Sequence, residues 1–262
     1  MIKKLLIIPD CHAHPDYDNN RFDWLGNLIV EERPDTILCL GDLADMPSLS
    51  SYDKGTKGFE GRRYKHDIAS ALDAQVRLFT PLIDYNAKQA KNRKTRYIPH
   101  KIILGGNHEF GRINKAINNQ AELEGTISTD DLGYNLHWDK IVDYNDKVIV
   151  AGFTCSHYLP SGVMGRPISG DNAAANLINK MHTGCIVGHS HLLDISIRTD
   201  GKGHKLLGVV AGCYVHPDMI EEWNKAQAAL WWNGVIMLHD AHDGYAESIQ
   251  TITQKQVYEQ YS

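Results

Sequence analysis

The stretch Lys101-Ile102-Ile103-Leu104-Gly105-Gly106-Asn107-His108-Glu109 decides the fold. A short apolar run breaks directly into two glycines and then into side chains that bind metals or move protons. An unbroken apolar run of this length is what a strand buried on both faces requires. Such a strand lies in a sheet covered on both sides. The polar residues at its carboxyl end stand where α/β sheets gather their ligands.

Working outward, the same pattern recurs on both sides. Leu5-Leu6-Ile7-Ile8 runs through Pro9 into Asp10-Cys11-His12, and Thr36-Ile37-Leu38-Cys39-Leu40 runs into Gly41-Asp42. Val148-Ile149-Val150-Ala151-Gly152-Phe153 precedes His157, and Gly184-Cys185-Ile186-Val187 runs into Gly188-His189-Ser190-His191. Residues 21–32, with Asn20 as a cap, together with 67–86 and 172–181, carry helical patterning between these strands. Residues 206–211 and 234–238 read as further strands, and 248–261 as a polar closing helix or tail. The alternation predicts an α/β sandwich with packed sheets inside and helices outside.

A chain of 262 residues, 42% hydrophobic and 23% charged, can bury one large core without disulfides. We therefore expect a single domain over residues 1–262, with a substrate-side loop insertion at about 48–66. The formal charge of -5 excludes a protein that coats nucleic acid by overall positive charge. Five cysteines with no Cys-x-x-Cys pair read as reduced, buried small residues. The amino-terminal apolar run is too short for a signal peptide or a membrane span, so the expected setting is cytoplasmic, with no membrane partner.

The residues at the strand exits are two Asp, one Asn and four ligand-type His. They suit borderline divalent ions such as Mn, Fe, Zn or Ni better than Ca or Mg. Two such ions a few Å apart are a recurrent solution to phosphate-ester hydrolysis. A lone Asp-x-His or Gly-His-x-His is more often a polar turn than a site. The ordered conjunction of all five blocks is specific.

That conjunction (Asp10-Cys11-His12, Gly41-Asp42, Gly106-Asn107-His108-Glu109, His157, Gly188-His189-Ser190-His191) resembles the calcineurin-like metallophosphoesterase superfamily, in the style of its phage and prophage members. The resemblance implies a four-layer α/β/β/α sandwich of mixed β-sheets flanked by helices. It also implies two divalent ions, with Mn2+ expected first. Asp10, His12 and His191 would hold one ion and Asn107, His157 and His189 the other, with Asp42 between them and a bridging water or hydroxide as nucleophile. His108 would protonate the leaving oxygen, and Asp45 would orient His108.

Substrate class follows from departures within the resemblance. Protein phosphatases of this superfamily place arginines where this chain has Met46 and Gly105, so the bidentate clamp on a phosphomonoester dianion is missing. Replacement cations are expected at Arg62, Arg63, Arg112 and Arg166. The 48–66 loop adds Tyr52, Phe59 and Tyr64, a mixture suited to phosphates and stacked bases. Trp223, Trp231 and Trp232 are expected in the core or at the rim. The leading expectation is a phosphodiesterase or nuclease acting on DNA, RNA or nucleotides. The alternatives are a phosphomonoesterase of nucleotides or small molecules and, third, a non-catalytic binding module.

Overall fold

The computed structural model of the chain describes residues 1–51, 53–219 and 228–262; Tyr52 and Trp223 lie outside the described residues. In chain order the strands are β1 (Ile2–Ile8), β2 (Thr36–Cys39), β3 (His100–Leu104), β4 (Lys140–Val142), β5 (Val148–Val150), β6 (Phe153–Cys155), β7 (Pro160–Ser161), β8 (Arg166–Pro167), β9 (Cys185–Val187), β10 (Leu193–Thr199), β11 (Lys205–Ala211), β12 (Gly234–His242) and β13 (Tyr245–Thr253). The described helices are α1 (Asn20–Glu32), α2 (Tyr64–Lys91), α3 (Arg112–Asn119), α4 (Ala173–Met181) and α5 (Gln254–Tyr261).

Strand β1 shows why the first sheet is continuously apolar. Its successive side chains point to opposite faces. Leu6 and Ile8 pack with Phe22, Leu25 and Ile29 of α1, Leu78 of α2 and Val257 of α5. Leu5 and Ile7 instead face the second sheet, meeting Phe153, Ile186, Leu207 and Val209. A third apolar layer joins Ala174 and Leu177 of α4 to Cys185, Val187 and Val210. These three cores separate four layers, and the fold is an α/β/β/α sandwich. Each fully buried Leu or Ile contributes about 1.5–3 kcal/mol.

The first sheet has the order β13-β12-β1-β2-β3-β4, the second β10-β11-β9-β6-β5, and β7 and β8 form a small hairpin apart. Strands β1 to β4 run parallel and β12 antiparallel to β1, so the first sheet is mixed. In the second, β6, β9 and β11 run parallel while β5 and β10 are antiparallel to their neighbours. Parallel neighbours exit at the same edge, which brings the polar ends of β1, β2 and β3 together. All five cysteines are buried free thiols. Among the described residues, no helix is long and apolar enough to cross a membrane.

Four local expectations are corrected. Residues 148–153 are not one strand: Val148–Val150 and Phe153–Cys155 pair antiparallel around a turn at Ala151 and Gly152, and only β6 leads to His157. Helix α2 extends over Tyr64–Lys91 rather than 67–86, so its first turn takes the end of the expected 48–66 loop. Packing of Ala71, Ala74, Leu78 and Leu82 against α1 carries the helix across Pro81 despite the missing N–H. Residues 248–253 belong to β13, joined to β12 by a hairpin turn whose Asp243 and Gly244 have φ of 48° and 76°. Asn20 is the first helical residue and not a side-chain cap; Asp18 Oδ1 accepts its N–H at 2.9 Å.

Candidate metal centre

Asp10 and His12 follow β1, Asp42 follows β2, and Asn107 and His108 follow β3; His157 follows β6, and His189 and His191 follow β9. The first sheet thus presents Asp10, His12, Asp42 and Asn107, and the second presents the other three. The backbone turns sharply at these exits. His12, Asp42, His189 and His191 all have left-handed φ, at 48°, 48°, 69° and 59°, a conformation that costs non-glycine residues energy and collects at functional sites. Two glycines allow the exits to meet. A Cβ at Gly106 would collide with the Asp42 carboxylate, and one at Gly188 with Asp10 Oδ1. Asn107–Gly111 then forms one wide π-type turn leading into α3.

The side chains gather as two halves. In one, His12 Nε2 lies 3.1 Å from His191 Nε2, and His191 Nε2 lies 3.3 Å from Asp10 Oδ2. In the other, Asn107 Oδ1 lies 2.8 Å from both His157 Nε2 and His189 Nδ1, which are 3.2 Å apart. Asp42 Oδ2 stands between them, 3.4 Å from His157 Nε2 and 3.8 Å from His12 Nε2. All seven side chains expected as ligands therefore lie together. Their carboxylates are aimed by backbone amides: His108 N–H donates to Asp42 Oδ1 at 2.8 Å and His189 N–H to Asp10 Oδ2 at 2.7 Å.

The outward ring nitrogens are held by different partners. His12 Nδ1 lies 2.8 Å from Asp45 Oδ1, and His157 Nδ1 lies 2.9 Å from the Leu40 carbonyl. In the neutral ring with Nδ1–H donated outward, each Nε2 would offer its lone pair inward, the arrangement of a ligating histidine. Asp45 Oδ1 is also 2.8 Å from His108 Nδ1, so the expected Asp45–His108 pair forms, and one carboxylate oxygen serves both histidines.

The electrostatics are those of a buried polar cluster. Burial opposes the charge of Asp42, but His157, His108 and His12 outweigh it and hold the carboxyl well below its ordinary range. Burial likewise opposes Asp45, and His108, His12 and Arg112 hold it low. Burial and the neighbouring His108 push His12 down to about 4 against the pull of Asp45. For His157 burial is overcome by Asp42, and the ring is pushed up to about 10. Beneath the site, Glu109 is raised well above its usual range by burial and by Asp42, its Oε1 accepting from Gly106 N–H at 3.1 Å.

The residues present fit a pair of divalent cations. Asp10 Oδ1 is buried without a hydrogen-bond partner, and histidine ring nitrogens face one another in two clusters. Buried polar atoms of this kind are costly unless paired or coordinated. Three sets have donor atoms mutually within ligating reach: Asp10, His12 and His191; Asp42, His157 and His189; and His12, Asp42 and His108. Imidazole, carboxylate and amide oxygen together suit Mn, Fe, Zn or Ni.

The expected substrate cations are dispersed. Arg112 reaches the site but binds inward, donating from Nη1 to the carbonyls of Asp45 at 2.6 Å and Met46 at 3.2 Å. Arg62 is tied to Asp53 at 2.6 Å. Arg63 donates to the Arg62 carbonyl at 2.7 Å and lines a surface groove of about 580 Å³ with Asp16, His66 and Asp73. Arg166 is exposed on β8. Trp231, half-buried, packs its ring 4.4 Å from that of His191, whereas Trp232 joins the inter-sheet core. Two further residues stand at the site without a signal in the sequence: Tyr158, whose ring lies 5.3 Å from His189, and Arg21, which is buried behind the β1 exit. No local motif marks either residue.

The calcineurin-like phosphoesterase family matches residues 3–193. The Gene 54 protein of Mycobacterium phage L5 is 23% identical over 244 residues, covering 91% of this chain and 89% of that protein. The Gene 54 protein of Mycobacterium phage D29 is 23% identical over 247 residues, with the same coverage of 91% and 89%. One solved structure aligns with 97% of this chain and 99% of its own at 12% identity and a TM-score of 0.35. With its motifs in order from β1 to the exit of β9, the chain belongs to the calcineurin-like phosphoesterase family, whose members are metal-dependent.

Proposed function

We propose that the chain is a two-metal phosphodiesterase acting on nucleic acid or nucleotides. Asp10, His12 and His191 would hold one ion, Asn107, His157 and His189 the other, with Asp42 available to both, and Mn2+ is the first candidate. The observation that carries the reading is the convergence of these seven side chains next to the His108–Asp45 pair. When bound, two divalent ions supply an activated water and neutralise charge on the phosphoryl oxygens.

The chain's own residues supply the rest. Asp45 accepts from His108 Nδ1, which fixes the ring and turns Nε2 towards Asp42, 4.0 Å from its Oδ2. From there Nε2 delivers its proton to the leaving alkoxide, as a general acid. The half-exposed rings of Trp231 and Tyr158 offer apolar faces beside the two halves. Preference for a diester is supported by the absence of an arginine clamp. Met46 and Gly105 carry no guanidinium, and Arg112 is committed to backbone carbonyls, so among the described residues these positions offer a dianionic monoester no bidentate partner.

The test is hydrolysis of bis-p-nitrophenyl phosphate against p-nitrophenyl phosphate by Mn-loaded protein. A panel of single- and double-stranded DNA, RNA and cyclic nucleotides follows. Manganese-dependent diester cleavage is expected; hydrolysis of monoesters alone would replace the diesterase with a phosphomonoesterase.

A further inference from the structure

Arg21, near the start of α1, is 1% exposed and among the largest fully buried side chains in the protein. Its guanidinium meets backbone carbonyls rather than a carboxylate. Nη2 donates to the carbonyl of Cys11 at 2.9 Å and more distantly to that of His12 at 3.4 Å. Nη1 donates to the Asp18 carbonyl at 2.9 Å and Nε to the Tyr214 carbonyl at 3.2 Å. Burial pulls its pKa down to about 10, which leaves it charged at neutral pH. A buried cation is expensive unless its hydrogen bonds are filled, and here they are filled by three separate chain segments.

Those segments frame one half of the centre. The Cys11 and His12 carbonyls flank the left-handed His12, so the guanidinium fixes two successive peptide planes at the turn that aims its ring. Tyr214 closes the loop: its N–H donates to the Asp10 carbonyl at 2.8 Å, and its hydroxyl donates to the Arg21 carbonyl at 3.3 Å. Asp10 and His12 are thus both gripped from behind. Asn107, His157 and His189 make no hydrogen bond to Arg21 among the described residues; His157 is held by the Leu40 carbonyl, and the nearest connection is the His189 N–H on the Asp10 carboxylate.

We propose that Arg21 is a positioning residue that shapes the Asp10–His12–His191 half for its ion without touching it. The proposal rests on the two-metal reading above. A planar fork that spans three segments is a property of arginine; lysine keeps the charge but cannot donate along the same three directions.

The experiment is equilibrium Mn2+ titration of the apo protein against a competing chelator, with electron paramagnetic resonance of the loaded state. Wild type should take up two ions and show the spectrum of a spin-coupled pair. Arg21→Met should weaken one of the two ions by about 10–100-fold, the range for lost supporting contacts to ligands. It should leave the other unchanged and replace the coupled spectrum with that of isolated Mn2+. Leu25→Ala, a cavity in the same helix away from the centre, serves as a stability control and should keep both ions. Should Arg21→Met fail to fold, Arg21→Lys reads the same loss. Two ions at wild-type affinity in whichever of these variants folds, or equal ion loss in Leu25→Ala at matched melting temperature, overturns the positioning role. If wild type itself binds no ion, the two-metal reading falls and this proposal with it.

Discussion

The two halves of the centre use the same residue type in opposite electrical settings. His12 is pushed down to about 4 by burial and by its neighbour His108, although Asp45 pulls the other way. His157 is pushed up to about 10 because Asp42 outweighs burial. Their anchors differ too: His12 leans on a carboxylate that also holds His108, and His157 on a neutral backbone carbonyl. The difference teaches that His12 is coupled to the acid through a single carboxylate oxygen, whereas His157 is fixed by the main chain.

The strongest way to break this asymmetry is to remove the group both halves share. Asp42→Asn should reduce diester turnover below detection and cost metal occupancy in both halves, measured by elemental analysis. Asp45→Asn comes next. It should weaken ion binding about 10–100-fold in the His12 half alone and slow turnover about 10²–10⁴-fold by disorienting the acid. Equal loss from both halves would show that the coupling is not confined to one. His108→Ala should keep both ions and lose about 10²–10⁴-fold in rate with poorly departing alcohols. With p-nitrophenol as leaving group it should lose little, which a leaving-group series would reveal.

The smallest effect lies behind the acid. Asp67 on α2 is buried, accepts from Ser48 N–H at 2.9 Å, and is raised to about 6 by burial and by Asp45. A carboxyl raised in the fold binds its proton more tightly than in the unfolded chain. Its contribution is therefore favourable below about pH 4 and is lost as pH rises through about 6. Asp67→Asn should raise the melting temperature more at pH 8 than at pH 5, by roughly 2–4 °C per kcal/mol relieved. An equal change at both values would mean the carboxyl is not strained.

The convergence of the seven side chains was legible because each is local to a strand exit, where an apolar run gives way within a few residues to a side chain of metal-binding type. The cations were not. Whether Arg62 or Arg112 faces substrate depends on Asp53 and on the Asp45 and Met46 carbonyls, contacts that spacing cannot report. Arg21 is harder still, since its partners lie as far away as Tyr214. Strand β13 was missed for a different reason. It is an edge strand with Glu247, Ser248 and Gln250 turned to solvent, so it lacks the continuous apolar run of the inner strands; Asp243-Gly244 was the readable signal.

The origin of the ligands in both sheets has a consequence for assembly. Asp10, His12, Asp42 and Asn107 come from one sheet and His157, His189 and His191 from the other, so the complete centre exists only after the two sheets have docked face to face. Ions with affinity for that docked state would act as a clasp across the seam, and saturating them should lift the unfolding free energy by about 2.7 kcal/mol per site at a hundredfold excess over Kd.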